Sequence, residues 1–87
     1  MMLTVFYTPG FIREYDKLQS DLQKEVKERI ELFRNDPRHP FLRVHKLKGV
    51  LRKRWSFSVN YSYRIIFEYD SKNSVALLSV GNHAIYD

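Results

Sequence analysis

The apolar residues change period once along this chain, and that change limits the folds open to it. Leu22, Val26, Ile30 and Phe33 recur at i, i+4, i+8 and i+11 with Glu and Lys between them, the pattern of one buried stripe on a helix. Beyond Asn35-Asp36-Pro37 and a loop through Pro40 the spacing becomes two. Trp55, Phe57 and Val59 alternate with Ser56, Ser58 and Asn60; Tyr63, Ile65, Phe67 and Tyr69 alternate with Arg64, Ile66 and Glu68. A helical part followed by a strand part predicts an α+β domain.

The remaining elements fit around this division. Leu3, Val5 and Tyr7 alternate with Thr4 and Phe6, predicting a strand over residues 2–8 that ends at Thr8-Pro9-Gly10. Phe11, Tyr15 and Leu18 then fall at helical spacing, and Ser20-Asp21-Leu22-Gln23 reads as a capping box opening the second helix. Two helices joined at Gln19-Ser20 form a hairpin on one face of a sheet. Lys46-Leu47-Lys48-Gly49 is either a short edge strand or an extended loop. Asp70-Ser71-Lys72-Asn73 is a turn before a last apolar strand over residues 74–80, so three strands form an antiparallel meander. The expected order is β-α-α-β-β-β, with the hairpin packed on a small, largely antiparallel twisted sheet.

Eighty-seven residues make one domain, 1–87, with a thin core to which six Phe, six Tyr and one Trp contribute most of the buried area. There is no cysteine, which excludes a disulfide framework and a thiolate metal site. No apolar run reaches the roughly 18 residues of a membrane span, and the first residues lack a charged leader segment. A soluble, cytoplasmic protein without a membrane partner is the expectation.

Charge is distributed unevenly. The formal net charge is +5, yet residues 1–36 hold six Lys/Arg against seven Asp/Glu, and residues 68–87 hold one against three. Residues 37–67 hold eight cations, Arg38, Arg43, Lys46, Lys48, Arg52, Lys53, Arg54 and Arg64, and no acid. A one-sign stretch of this length sets up a field that attracts a polyanion, where a mixed stretch would form an ordinary solvated surface.

The element order, together with His45-Lys46-Leu47-Lys48-Gly49, Trp55-Ser56, Tyr63-Arg64-Ile65-Ile66-Phe67-Glu68-Tyr69 and Val80-Gly81-Asn82-His83-Ala84-Ile85-Tyr86, resembles the RelE/ParE toxin superfamily of type II toxin-antitoxin pairs, over the entire chain. On the RelE side, with YoeB and YafQ, the resemblance implies a messenger-RNA interferase acting on ribosome-bound message and held by a cognate antitoxin. On the ParE side it implies a gyrase inhibitor without nuclease activity. An inactive relative that still binds an antitoxin is the third possibility, and fold alone does not choose among them.

The RelE-side chemistry needs no metal and no cofactor. The ribose 2′-hydroxyl must lose a proton as it attacks phosphorus, the phosphate must be stabilised, and the leaving 5′-oxygen must gain a proton. Imidazoles suit the proton transfers and a guanidinium suits the phosphate. Arg64, a permanent charge inside an apolar strand, is similar in place to the phosphate-contacting arginine; the competing reading is an ion pair with Glu68 or Asp70. By the same resemblance His83 is a general acid or base, or else a tail histidine without a task. His45 is a second imidazole, or else a surface residue of a basic strand. It resembles the histidine of the YafQ motif His-Pro-Leu-Lys-Gly and stands where YoeB has glutamate, with Lys46 in place of proline. Tyr86 matches a terminal aromatic that stacks on a base, or else it packs on the sheet. Lys46, Lys48, Arg52, Lys53 and Arg54 are the expected RNA-binding cations. Trp55 shares a face with Phe57 and Val59 and reads as core; His39 reads as bland. The chain departs from RelE and YoeB where Trp55-Ser56-Phe57-Ser58 carries none of their strand cations, and its tail His83-Ala84-Ile85-Tyr86 lacks the acids common in relatives.

Overall fold

The computed structural model describes residues 2–49 and 53–82. Five strands and two helices follow in the order β1 (Thr4–Tyr7), α1 (Pro9–Asp16), α2 (Ser20–Asn35), a 3-10 turn (Pro40–Leu42), β2 (His45–Lys46), β3 (Trp55–Ser58), β4 (Tyr63–Ser71) and β5 (Ser74–Asn82). The spatial order is β1-β5-β4-β3-β2. The expected meander is β3-β4-β5, antiparallel throughout, and of the segment left open between strand and loop only Lys46 is strand, joined with His45 in the two-residue edge strand β2. At the other edge β1 runs parallel to β5, Val5 beside Val75 and Tyr7 beside Leu77.

Thr8 ends β1 and starts α1. Its Oγ1 accepts from the Phe11 amide at 3.2 Å and donates to the Leu77 carbonyl at 2.8 Å, while Pro9 occupies the first turn, where a missing N–H costs nothing. β1 stops opposite Leu77, so β5 beyond that point would have an open edge. The α1 residue Glu14 covers it, its Oε1 accepting from the Val80 amide at 3.0 Å.

The second helix begins where the capping pattern placed it, but a different residue caps it. Gln19 is the N-cap and makes no side-chain cap bond, and Ser20 is already helical. Gln23 is committed elsewhere, its Nε2 donating to the Tyr15 carbonyl at 2.9 Å while Tyr15 Oη donates to the Gln23 carbonyl at 3.3 Å. This reciprocal tie between the two helices replaces the local box.

The helices lie on the face of the sheet that carries Phe57, Ile65, Phe67, Val75, Leu77 and Val80, and contribute Phe11, Val26, Ile30 and Phe33 to one core with Leu3, Leu42 and Val59. Phe33 is its centre, with ring centroids 4.4 Å from Phe57 and 4.8 Å from Phe67. Trp55 is only partly buried; it packs against the core's margin and meets Tyr69 edge-on at 5.4 Å. The opposite face, away from the helices, carries Ser56, Ser58, Arg64, Ile66 and Glu68.

Candidate active site

The pairing registers order the residues of that face, open at His45 and half-open at Arg64 but buried at Ser56, Ser58 and Ile66, into rows. Ser58 stands opposite Arg64, and Arg64 opposite Gly81; one row along, His45 faces Ser56, Ser56 faces Ile66, and Ile66 faces Ser79. Cross-strand partners point to the same side of a sheet, so His45 and Arg64 share the open face. Two strand spacings and two residues separate them, about 12 Å between Cα atoms.

Arg64 is half-buried, and its Nε is buried with no hydrogen-bond partner. The anticipated structural ion pair does not form. Glu68 lies beside Arg54, at 3.7 Å, and Asp70 accepts from Ser74 Oγ at 3.3 Å. Among the described residues no carboxylate pairs with Arg64. A half-buried guanidinium whose Nε finds no acceptor among the described residues is suited to an anion supplied from outside.

His45 is oriented by the turn before it. Arg43 caps the 3-10 turn in the left-handed region, φ 49 and ψ 47, a conformation that costs a non-glycine residue on the order of 1 kcal/mol. That twist aims the Arg43 carbonyl at His45 Nδ1, 3.0 Å away. A carbonyl only accepts, so Nδ1 carries the proton, and in the neutral ring the lone pair lies on Nε2. Nε2 faces Ser56 Oγ at 3.5 Å, toward the Arg64 side of the face. Ser56 itself is 1% exposed and serves as a neighbour, not a nucleophile.

The expected RNA-binding cations do not form one patch. Lys46 pairs with Trp55 and shares its side of the sheet, opposite to His45. Arg54 belongs to the open face, where Glu68 partly neutralises it. Lys48 and Lys53 are exposed near the β2–β3 connection. Arg52, His83 and Tyr86 lie outside the described residues.

His39 proves to be structural, its Nδ1 accepting from the Phe41 amide at 3.1 Å and so capping the turn that sets Arg43. Sequence reasoning missed Arg29, Phe41, Arg43 and Tyr61, which gather with Arg64 around one groove. Only the acid-free character of residues 37–67 hinted at it. Among the described residues no three His, Asp or Glu side chains cluster as metal ligands would, and no helix is long and apolar enough to cross a membrane.

Comparison with known proteins agrees with this architecture. The toxin of the RelBE2 toxin-antitoxin complex from Mycobacterium tuberculosis superposes with a TM-score of 0.76 at 21% identity, covering 94% of this chain and 99% of the other. YafQ from E. coli gives 0.78 at 15% identity, covering 97% of both chains, and a YoeB dimer from Staphylococcus aureus gives 0.72 at 18%, covering 95% and 99%. At such identities the likeness shows the fold. No protein of curated function matches the sequence. The family model of the HigB-like toxins, described as the RelE-like toxin of type II toxin-antitoxin system HigB, matches residues 2–83. With that match across nearly its whole length, the chain belongs to the HigB-like family of RelE-like toxins of type II toxin-antitoxin systems.

Proposed function

We propose that the protein is an endoribonuclease that cleaves ribosome-bound messenger RNA by attack of a ribose 2′-hydroxyl on the adjacent phosphorus, and that a cognate antitoxin silences it. The observation that carries this reading is Arg64, half-buried on the face away from the helices, with a buried Nε that finds no acceptor among the described residues. In this reading its guanidinium binds the scissile phosphate and stabilises the charge that builds on the equatorial oxygens. His45 Nε2 accepts the 2′-hydroxyl proton, its ring held by the Arg43 carbonyl. His83 returns a proton to the leaving 5′-oxygen, and Tyr86 stacks on a substrate base. The products are a 2′,3′-cyclic phosphate and a 5′-hydroxyl. Lys48, Arg52 and Lys53 hold flanking phosphates, Lys46 does so from the other side of the β2 edge, and Arg54 contributes less because Glu68 stands beside it. For the partner, similar structures include the DinJ-YafQ complex from E. coli and the YoeB-YefM complex from Staphylococcus aureus, each a toxin bound to its antitoxin.

The test is to incubate the purified protein with ribosomes and a defined message and to map cut sites and end groups. Cyclic-phosphate ends are expected, lost in Arg64→Ala and reduced by about 10²–10⁴ in His45→Gln, which can still donate to the Arg43 carbonyl but cannot shuttle a proton. Intact RNA with inhibited gyrase would replace this reading with the gyrase-directed one.

A further inference from the structure

The 3-10 turn, α2 and the β3–β4 connection enclose a groove of about 520 Å³, within the size range of small-molecule sites. Three arginines line it, Arg29, Arg43 and Arg64, and no described acidic residue does. Glu25, the nearby acid, is bonded to Asn60 Nδ2 at 2.8 Å. Two aromatic rings stand at its rim, Phe41 at 67% exposure and Tyr61 at 92%, and the Arg29 guanidinium carbon lies 5.8 Å from the centre of the Phe41 ring. Phe41 also meets the His39 ring edge-on at 4.8 Å, and Phe41 and Tyr61 both keep more than half of their surface open to a further stacking partner.

We infer that this groove is a nucleotide subsite, holding one nucleotide of single-stranded RNA next to the cut: its base stacks on Phe41 and Tyr61, and its phosphate lies among Arg29 and Arg43. The inference rests on the nuclease reading for the position of the cut, because Arg64 lines the groove and also presents the scissile phosphate's binding group. Stacking on exposed rings backed by arginine is how bases of unpaired strands are held, and an acidic peptide would use the arginines without needing the rings. One residue joins the subsite to the chemistry. Arg43 lines the groove while its carbonyl holds His45.

The subsite favours purines. Asn60, the amide in the groove wall, is already occupied, its Oδ1 accepting from the Ser62 and Tyr63 amides at 2.8 Å and its Nδ2 bound to Glu25. With the Asn60 oxygen taken, stacking area is the main term in discrimination, and in it purines exceed pyrimidines.

The experiment uses fluorescent 2′-O-methyl hexanucleotides, which cannot be cut, of purine or pyrimidine sequence. The wild type should bind the purine strand several-fold tighter. The double variant Phe41→Ala with Tyr61→Ala should lose about tenfold or more on purines and bind both strands alike, whereas Lys72→Ala, on the β4–β5 turn, should keep the preference. Both rings are exposed, and thermal melts check that the variant folds. A 5-bromouracil placed beside the cut should photocrosslink to Phe41 or Tyr61. Unchanged affinity in the double variant, crosslinks confined to Lys46 or Lys48, or loss of antitoxin binding with RNA binding intact would overturn the subsite. If the protein cuts no RNA yet the purine preference and crosslinks appear, the nuclease reading fails and the RNA subsite stands. If it cuts RNA and the double variant binds and cuts like the wild type, the subsite fails and the nuclease stands.

Discussion

Replacing Arg64 by methionine separates what the fold needs from what the chemistry needs. Met keeps an unbranched stem along β4, so the packing beside Ser58 and Gly81 changes little. It removes two unfavourable features. The first is the buried Nε–H without an acceptor, a penalty of about 1–3 kcal/mol. The second is repulsion from Arg29 and Arg43 across the shared groove, smaller in water-exposed surroundings and screened by salt. Lost contacts of the guanidinium offset part of this gain. A net stabilisation of roughly 1–2 kcal/mol is expected, which for a domain of this size raises Tm by about 4–16 °C. Cleavage should fall by at least about 10²–10³ because the charge on the phosphate loses its stabilising group. Urea unfolding of wild type and Arg64→Met at low and high salt, beside end-mapped cleavage, reads both effects. A variant less stable than wild type would show that Arg64 is held by structural contacts, and the reasoning that it awaits an external anion would be refuted.

Three further outcomes follow from the packing. Phe33→Ala empties the centre of the Phe33–Phe57–Phe67 cluster and should cost about 3–5 kcal/mol by urea titration, a large share of the stability of a domain this small. Lys46→Ala should reduce the log-log salt slope of RNA binding by about 0.7, whereas Arg54→Ala, already facing Glu68, should reduce it by clearly less; equal effects would remove the reason for separating them. Asn60→Ala removes the acceptor of two turn amides and the donor to Glu25, and thermal melts should show a loss of about 1–3 kcal/mol.

What could be read from the chain beforehand was what has a local signature. Period-two runs announced β3 and β4, an apolar run announced β5, and the stripe from Leu22 to Phe33 announced α2. Arg64 was legible because a lone charge among Tyr63, Ile65 and Ile66 is anomalous in any strand. The Ser20 capping box was legible and wrong in detail, because the Gln23 amide gains more by joining α1 through Tyr15 than by closing its own turn. The parallel pairing of β1 with β5 has no local signature at all. Nor has the left-handed Arg43, since Pro40-Phe41-Leu42 shows no period and Arg43 is not a residue type that announces positive φ. The groove was out of reach for the same reason: Arg29, Phe41, Tyr61 and Arg64 come from separate elements, and only tertiary packing brings them together.

The pairing of β1 with β5 has a consequence for when the sheet is completed during synthesis. Thr4, in β1, lies beside Ser74, which opens β5 and is translated only after β2, β3 and β4. The sheet therefore cannot close until β5 has emerged, and long-range parallel pairings of this sort form late in folding. The face with His45 and Arg64 needs β4 framed by its neighbours, and β5 is the last of them to emerge. The face that carries His45 and Arg64 is thus finished only after β5 has emerged, so the helices and β2 to β4 are available to a partner before that face is complete.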